Sequence, residues 1–268
     1  MTLGFSVEDL VPRARVNGPM RMGLARLAAS EWLEPEPDLA ARNAAFDAHP
    51  ESVIVLPEAE APARELAALI GVDGGLEAAA RSVWEDLCIL TRAAPDAPLL
   101  LTGAAVAFPT DWRLSEKIGR PLLAVHEPIH GYADQLSSAV DGFMERLEPG
   151  ELFGRTNVFV LPSDALRYMP ADDVAARFAG VTADNAGERL FVRCERETLR
   201  RLPATGAIVF TIGVYRCPLS RLSDDAVARV AQSLEGFGDG EHGRRAAPLY
   251  AAALAGYASA RASGAASA

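Results

Sequence analysis

Two extended runs in the second half of the chain, Leu190–Arg193 and Ala207–Tyr215, constrain its fold more than any other feature. Both are rich in β-branched and aromatic residues, the side chains that fit a pleated surface. The charged segment Glu195–Pro203 separates them, which points to antiparallel neighbours. Asn157–Leu161 and Ser52–Leu56 are further strand candidates. Leu99–Phe108, interrupted by Thr102-Gly103, reads as a strand or a tight hairpin.

Helical patterns surround these runs. Leu39–His49 reads as a helix ending before Pro50, and Pro57 to Leu69 as another, stopped by Gly71 and the Asp73-Gly74-Gly75 turn. Leu76, Ala80, Val83, Leu87 and Leu90 recur at helical spacing and predict one amphipathic helix of about four turns. Leu136, Val140, Phe143, Met144 and Leu147 mark a second, closed by Pro149-Gly150. Ser223 is placed to cap a helix, with Asp224 and Asp225 where the helix dipole favours acids and Gly236 at its end. A last helix is expected over Glu241–Tyr257, although it contains Pro248. The first 36 residues read as an irregular arm and residues 258–268 as a disordered Ala/Ser-rich tail. The expectation is a single α+β domain over residues 1–257, an antiparallel sheet with helices before and after it.

A chain of 268 residues buries roughly three quarters of its unfolded surface, enough to enclose a pocket. Its net charge of −10 argues against a nucleic-acid partner, which would want a basic face. No apolar stretch approaches the roughly 20 residues of a membrane helix. Met1 to Glu8 carry acids and lack the order of a signal peptide. The expected location is cytoplasmic, with no membrane partner. Cys88, Cys194 and Cys217 have no CxxC spacing and read as free thiols. Lys117 is the lone lysine among 26 basic residues, a hint that an ammonium is wanted there.

No glycine-rich phosphate loop follows a strand, and GxSxG and HExxH are missing. The run Gly236 to Gly240 follows a helix and reads as a flexible turn. Of four histidines, His49 and His242 read as surface residues. His126 and His130 are four apart, but Pro128 between them rules out a regular helix and with it a two-histidine metal site on one helical face. A histidine that follows an apolar run and enters a loop is compatible with an axial haem ligand. The plainer reading is a hydrogen-bonded structural histidine. The segment Arg193 to Pro203 is open to two readings. One is a solvated bend whose exposed ion pairs contribute roughly 0–1 kcal/mol each. The other is an arginine set that grips a carboxylate ligand. The loop Phe108 to Gly119, with Trp112 and Lys117, is either an ordinary packed loop or an irregular segment lining a site.

Together these clusters resemble the haem subunit of haem-dependent oxidative N-demethylases, related to dimethylamine monooxygenase. The resemblance runs through Arg21-Met22-Gly23-Leu24, Trp32-Leu33 and Glu85-Asp86-Leu87. It continues with Phe108-Pro109-Thr110, Trp112, Glu116 to Gly119, His126 with Pro128 and Gly131-Tyr132, then Arg155 and Asn157. It is closest at Glu195-Arg196, Thr198 to Pro203, Gly206 and Phe210-Thr211-Ile212. It implies a PAS-like haem domain elaborated with helices. It also implies an O2-dependent reaction in which the methyl of a small amine is hydroxylated and lost as formaldehyde. Electrons would come from NADPH through a separate flavin and iron–sulfur reductase subunit. By this resemblance His126 is expected to ligate the iron, and Trp112, Lys117, Arg196 and Arg201 to contact the haem. Val158, His130 and Gly213 depart from the family's more common Trp, Pro and Arg.

The resemblance leaves two classes of function. One is the oxidative enzyme; the other is a PAS-type protein that binds or senses haem or another small ligand without chemistry. The sequence carries no kinase, cyclase or DNA-binding segment as a sensor output, yet it also names no catalytic acid or base.

Overall fold

The computed structural model describes residues 3–13, 21–127, 129, 131–236 and 239–265. Pro128, His130, the Phe237-Gly238 pair of the glycine-rich run and the end of the Ala/Ser-rich stretch lie outside them.

The first half opens with α1 (Val7–Leu10), β1 (Ala25–Arg26), α2 (Leu39–Ala48) and β2 (Val53–Val55). It continues through α3 (Glu60–Ile70), α4 (Leu76–Arg81), β3 (Asp86–Thr91) and β4 (Leu100–Ala105). Three short helices follow, α5 (Leu122–Val125), α6 (Tyr132–Gln135) and α7 (Ser137–Arg146), then β5 (Phe153–Leu161). The remainder is α8 (Val174–Phe178), α9 (Ala186–Arg189), β6 (Phe191–Arg201), β7 (Ile208–Pro218), α10 (Asp224–Glu235), α11 (Asp239–Arg244) and α12 (Ala251–Ala265).

The strands form one seven-stranded sheet in the order β1-β5-β6-β7-β3-β4-β2, each neighbouring pair antiparallel. Without the short edge strands β1 and β2, the remaining five lie in the chain order 2-1-5-4-3, the arrangement of a PAS-type sheet. The fold is α+β, as the sequence led one to expect. The connection from β4 to β5 carries α5, α6 and α7. This connection roofs one face of the sheet and makes room for a chamber between.

Local signals explain most boundaries. Gly71 ends α3 in the left-handed region (φ 95°), where a side chain would be strained. The Ser223 hydroxyl accepts from the Ala226 amide at 3.2 Å and starts α10. Gly103, midway along β4, leaves room for Ala59, whose Cβ lies 2.8 Å from where a side chain at 103 would begin.

Four expectations are corrected. The helix read over Leu76–Leu90 stops at Arg81, and Asp86–Thr91 is β3, a central strand. Five successive residues there, Asp86 to Leu90, are buried because both faces of the sheet are covered. A strand of that kind matches a buried helix in apolar density and shows no alternation to tell the two apart. The helix read over Glu241–Tyr257 is divided: α11 ends at Arg244, Pro248 sits in a 3-10 turn at Ala247–Leu249, and α12 begins at Ala251. That last helix runs to Ala265, through most of the stretch read as a tail. Finally, the charged segment after Arg193 is no bend. It is the continuation of β6 through Arg201.

Alternation along β6 sorts its charges onto two faces. Arg193, Glu195, Glu197 and Arg201 share the face beneath α7, whereas Arg196 and Arg200 face the N-terminal arm. Beside them a buried pair anchors the chamber's wall. The Arg42 guanidinium donates to the carbonyls of Ala80 (2.5 Å) and Trp84 (2.8 Å) and to Asp86 Oδ1 (3.0 Å). Asp86 in turn accepts from the amides of Ala107 (2.7 Å) and Phe108 (3.2 Å), fixing where β4 gives way to the following loop.

Candidate haem cavity

Between the sheet and the β4–β5 connection lies a cavity of about 890 Å³. That is within the roughly 300–1,000 Å³ of small-molecule sites. Its floor is the sheet: Cys88 and Leu90 of β3, Leu101 of β4, Phe210 and Ile212 of β7. Leu122, Leu136, Val140 and Met144 come down from the roof. The cavity reaches around the edge of β5 to Leu3, Arg13 and Ser233.

His126, Lys117 and Trp112 all line this cavity. His126 follows the last residue of α5. Its Nδ1 lies 2.8 Å from the Leu122 carbonyl. A carbonyl can only accept, so Nδ1 carries the proton and Nε2 keeps its lone pair. Among the described residues nothing hydrogen-bonds to Nε2. Burial holds the imidazole below its ordinary pKa, with the Leu122 bond opposing, which favours the neutral ring a metal requires. Tyr132 stacks on its face, ring centroids 4.4 Å apart and planes 12° from parallel. Lys117 donates to the carbonyl of Val125, and its ammonium lies 5.7 Å from the Trp112 ring centroid. Burial lowers the Lys117 pKa.

Arg196 and Arg201 are placed elsewhere. Arg196 lies on the opposite face of the sheet with no solvent exposure. It donates to the carbonyls of Leu3 (3.1 Å), Trp32 (3.0 Å) and Glu31, and packs over the Phe5 ring. It fastens the N-terminal arm and cannot reach a ligand in the cavity. Arg201 shares the cavity's face but sits beyond its end. Its guanidinium donates to the carbonyls of Leu147 (2.6 Å), Gly206 (2.7 Å) and Met144, the first and last at the C-terminus of α7. That is a helix cap, which the negative end of the dipole favours. Neither arginine, both expected to contact the ligand, presents its guanidinium to the cavity: alternation along β6 turns Arg196 away, and the end of α7 occupies Arg201.

Besides Lys117, charged groups of the cavity come from residues not expected to contact a ligand. Arg155 and Asn157 of β5 stand beside Glu197 of β6; Arg155 Nε and Asn157 Nδ2 (2.6 Å) both donate to its carboxylate. Glu195 is held differently. Arg193 Nε donates to the Thr110 hydroxyl at 2.8 Å, so that hydroxyl directs its own proton onto Glu195 Oε1. Among the described residues Glu195 has no ion-pair partner and no hydrogen bond to its second oxygen. Burial raises its pKa, and the nearby Glu197 charge adds to the rise. Arg155 with Asn157, and Glu195 with Glu197, stand two apart, the spacing that puts side chains on one face of a strand. What was missing was the knowledge that Glu195 to Arg201 continues the strand.

The residues suit a haem. The part of the floor made by β3, β4 and β7 and the roof over it are apolar, as a porphyrin's faces require, charged groups lie along β5 and β6 at the side, and one neutral imidazole has an open nitrogen. Among the described residues no group of three His, Cys, Asp or Glu side chains converges to hold a metal ion. A metal bound at His126 would need to bring most of its other ligands with it, as an iron porphyrin does.

No curated protein shows significant sequence similarity to the chain. A family model described as haem-dependent oxidative N-demethylase, alpha subunit-like, matches residues 70–250, more than half of the chain and the stretch that holds β3 to β7 and His126. The chain belongs to that haem-dependent oxidative N-demethylase alpha-subunit-like family.

Proposed function

We propose that the cavity binds haem with His126 Nε2 as axial ligand, and that the protein demethylates a small alkylamine with O2, releasing formaldehyde. The observation that carries this reading is the His126 tautomer: the Leu122 carbonyl takes the proton-bearing nitrogen and leaves the other available in the cavity. When bound, haem supplies O2 activation and the oxidation of the methyl group. The chain's own residues bind and orient. Trp112 and Lys117 border the group at the roof, and Arg21, one of several arginines that line the cavity, is proposed to pair with its propionates. Glu195, whose charge Arg193 and Arg245 favour without a direct ion pair, supplies a carboxylate that suits the ammonium form of an amine. Leu90, Leu101 and Phe210 make the opposite end of the cavity, beside Leu199, apolar.

Electrons are proposed to come from NADPH through a separate flavin and iron–sulfur reductase subunit, in keeping with the family's alpha-subunit description. No helix among the described residues is long and apolar enough to cross a membrane. A cytoplasmic location is part of the proposal.

The test is direct. The protein purified with haem supplied is expected to show a Soret band, and reductant, O2 and dimethylamine are expected to yield formaldehyde. His126→Ala is expected to shift or abolish that band. An unchanged spectrum in His126→Ala refutes the ligand assignment. A Soret band with no formaldehyde from any small amine refutes the enzyme in favour of a haem-binding sensor.

A further inference from the structure

The helix that presents His126 is too short to hold itself. α5 spans one turn, Leu122–Val125, and an isolated turn fixes several dihedrals for a single hydrogen bond. Its start is held by the Leu122 amide on the Leu99 carbonyl (3.3 Å). Its end needs a donor, because the last carbonyls of a helix have no partner within it. The Ile129 amide reaches the His126 carbonyl at 2.8 Å. The Val125 carbonyl is taken by the Lys117 ammonium. Lys117 is itself fixed, since its backbone amide bonds the Leu114 carbonyl (2.9 Å) at the close of a 3-10 turn, and its head lies against Trp112. The Leu122 carbonyl at the other end of the same turn accepts the imidazole Nδ1 proton. Whatever sets the pitch of α5 therefore sets the direction of the imidazole.

From this geometry we propose that Lys117 is a positioning residue for His126: it holds the end of α5 and, through the Leu122 carbonyl, fixes the plane and tautomer of the imidazole before a metal arrives. It acts on the cofactor through the histidine and not by pairing with a haem propionate. The proposal rests on the reading of His126 as haem ligand. A lysine suits the task better than an arginine, because a compact ammonium on a flexible stem can meet one carbonyl where a planar fork would seek two acceptors. That gives this position a reason for its lysine in a chain that otherwise uses arginine.

The experiment compares haem loss and the Soret spectrum in the full chain, Lys117→Met, Lys117→Arg and His126→Ala. Outer partners of a metal-bound histidine typically carry 10–100-fold in metal affinity, so Lys117→Met is expected to release haem to an apoglobin acceptor about tenfold faster or more. It is also expected to broaden the Soret band, with Lys117→Arg intermediate. Two further arms separate positioning from direct contact. Loading with the dimethyl ester of haem removes the propionate charges; the Lys117→Met effect is expected to persist. In a His126→Ala background supplied with free imidazole, Lys117→Met is expected to add nothing, because the residue it positions is gone. Loss of the effect with the esterified haem, or an undiminished effect in the His126→Ala background, overturns the proposal, as does a Lys117→Met protein that matches the parent in rate and spectrum. If Lys117→Met fails to fold, Lys117→Arg carries the same comparisons, and parental behaviour in all of them overturns it. A parental spectrum in His126→Ala alone would instead refute the ligand assignment.

Discussion

Arg42 and Asp86 meet 3.0 Å apart with essentially no exposure of either side chain. The pair joins α2 to the first residue of β3, and through the Ala107 and Phe108 amides it also fixes the loop that carries Thr110 and Trp112. Removing one partner of such a pair leaves a buried charge uncompensated, at about 3–5 kcal/mol. Arg42→Ala is expected to lower stability by that order in denaturant melts. Haem retention is expected to fall with it, because the loop beside the cavity loses its anchor. An Arg42→Ala protein within about 1 kcal/mol of the parent would contradict this.

Glu85 gives the fold a pH dependence of predictable sign. Its carboxyl is buried beside the arm, accepts the Glu34 amide at 2.8 Å through one oxygen, and has no hydrogen-bond partner for the other among the described residues. Burial pushes its pKa up to about 7. The folded state therefore keeps a proton between pH 4.5 and about 7 that the unfolded state releases. Stability from this group is present at low pH and falls as pH rises through that window, by about 3 kcal/mol in total. Glu85→Gln retains the acceptor for the Glu34 amide and removes the titration. Its melting temperature is expected to equal the parent's near pH 4.5 and to exceed it at pH 8. Parallel pH profiles for the two proteins would count against the assignment.

Arg196→Met is expected to loosen the N-terminal arm, and with it the Leu3 edge of the cavity, without altering the His126 side. The guanidinium holds the Leu3, Glu31 and Trp32 carbonyls, and hydrogen bonds from charged donors contribute about 1.5–3 kcal/mol each. Limited proteolysis is expected to cut within residues 3–36 sooner in the variant. The Soret band of haem-loaded protein is expected to stay in place. A shifted band with an intact arm would reverse the placement of this residue.

Glu195→Gln tests the negative charge in the cavity. Calorimetric titration of haem-loaded protein with dimethylammonium is expected to show binding weakened by about 1.5–3 kcal/mol, the range for a hydrogen bond to a charged group. A neutral isostere such as dimethyl ether is expected to bind both proteins alike. Equal loss for both ligands would mean that the carboxylate shapes the cavity and does not select a charge.

Local signals carried a large part of this fold. Gly71 and Ser223 end and begin helices because their effects act within a turn. The apolar runs of β6 and β7 were legible for the same reason. His126, Lys117 and Trp112 fall within one stretch of chain, and the fold places them in one cavity. What could not be read was set at long range. A strand covered on both faces, as β3 is, loses the alternation that would distinguish it from a helix. The partner of Arg196 lies 164 residues away at Trp32, and that of Arg155 lies 42 residues away at Glu197. No spacing rule connects such positions, so a strand dense in charge looked like a solvated bend.

The two-sided character of β6 leaves that strand intolerant of length change. Deleting or inserting one residue between Arg193 and Arg201 would turn every downstream side chain over. Guanidiniums would then project among Leu90, Leu101 and Phe210, while carboxylates would meet the backbone carbonyls of the arm, acceptor against acceptor. Diversification within this stretch is thus channelled into replacing side chains one at a time, with the count between its ends held constant.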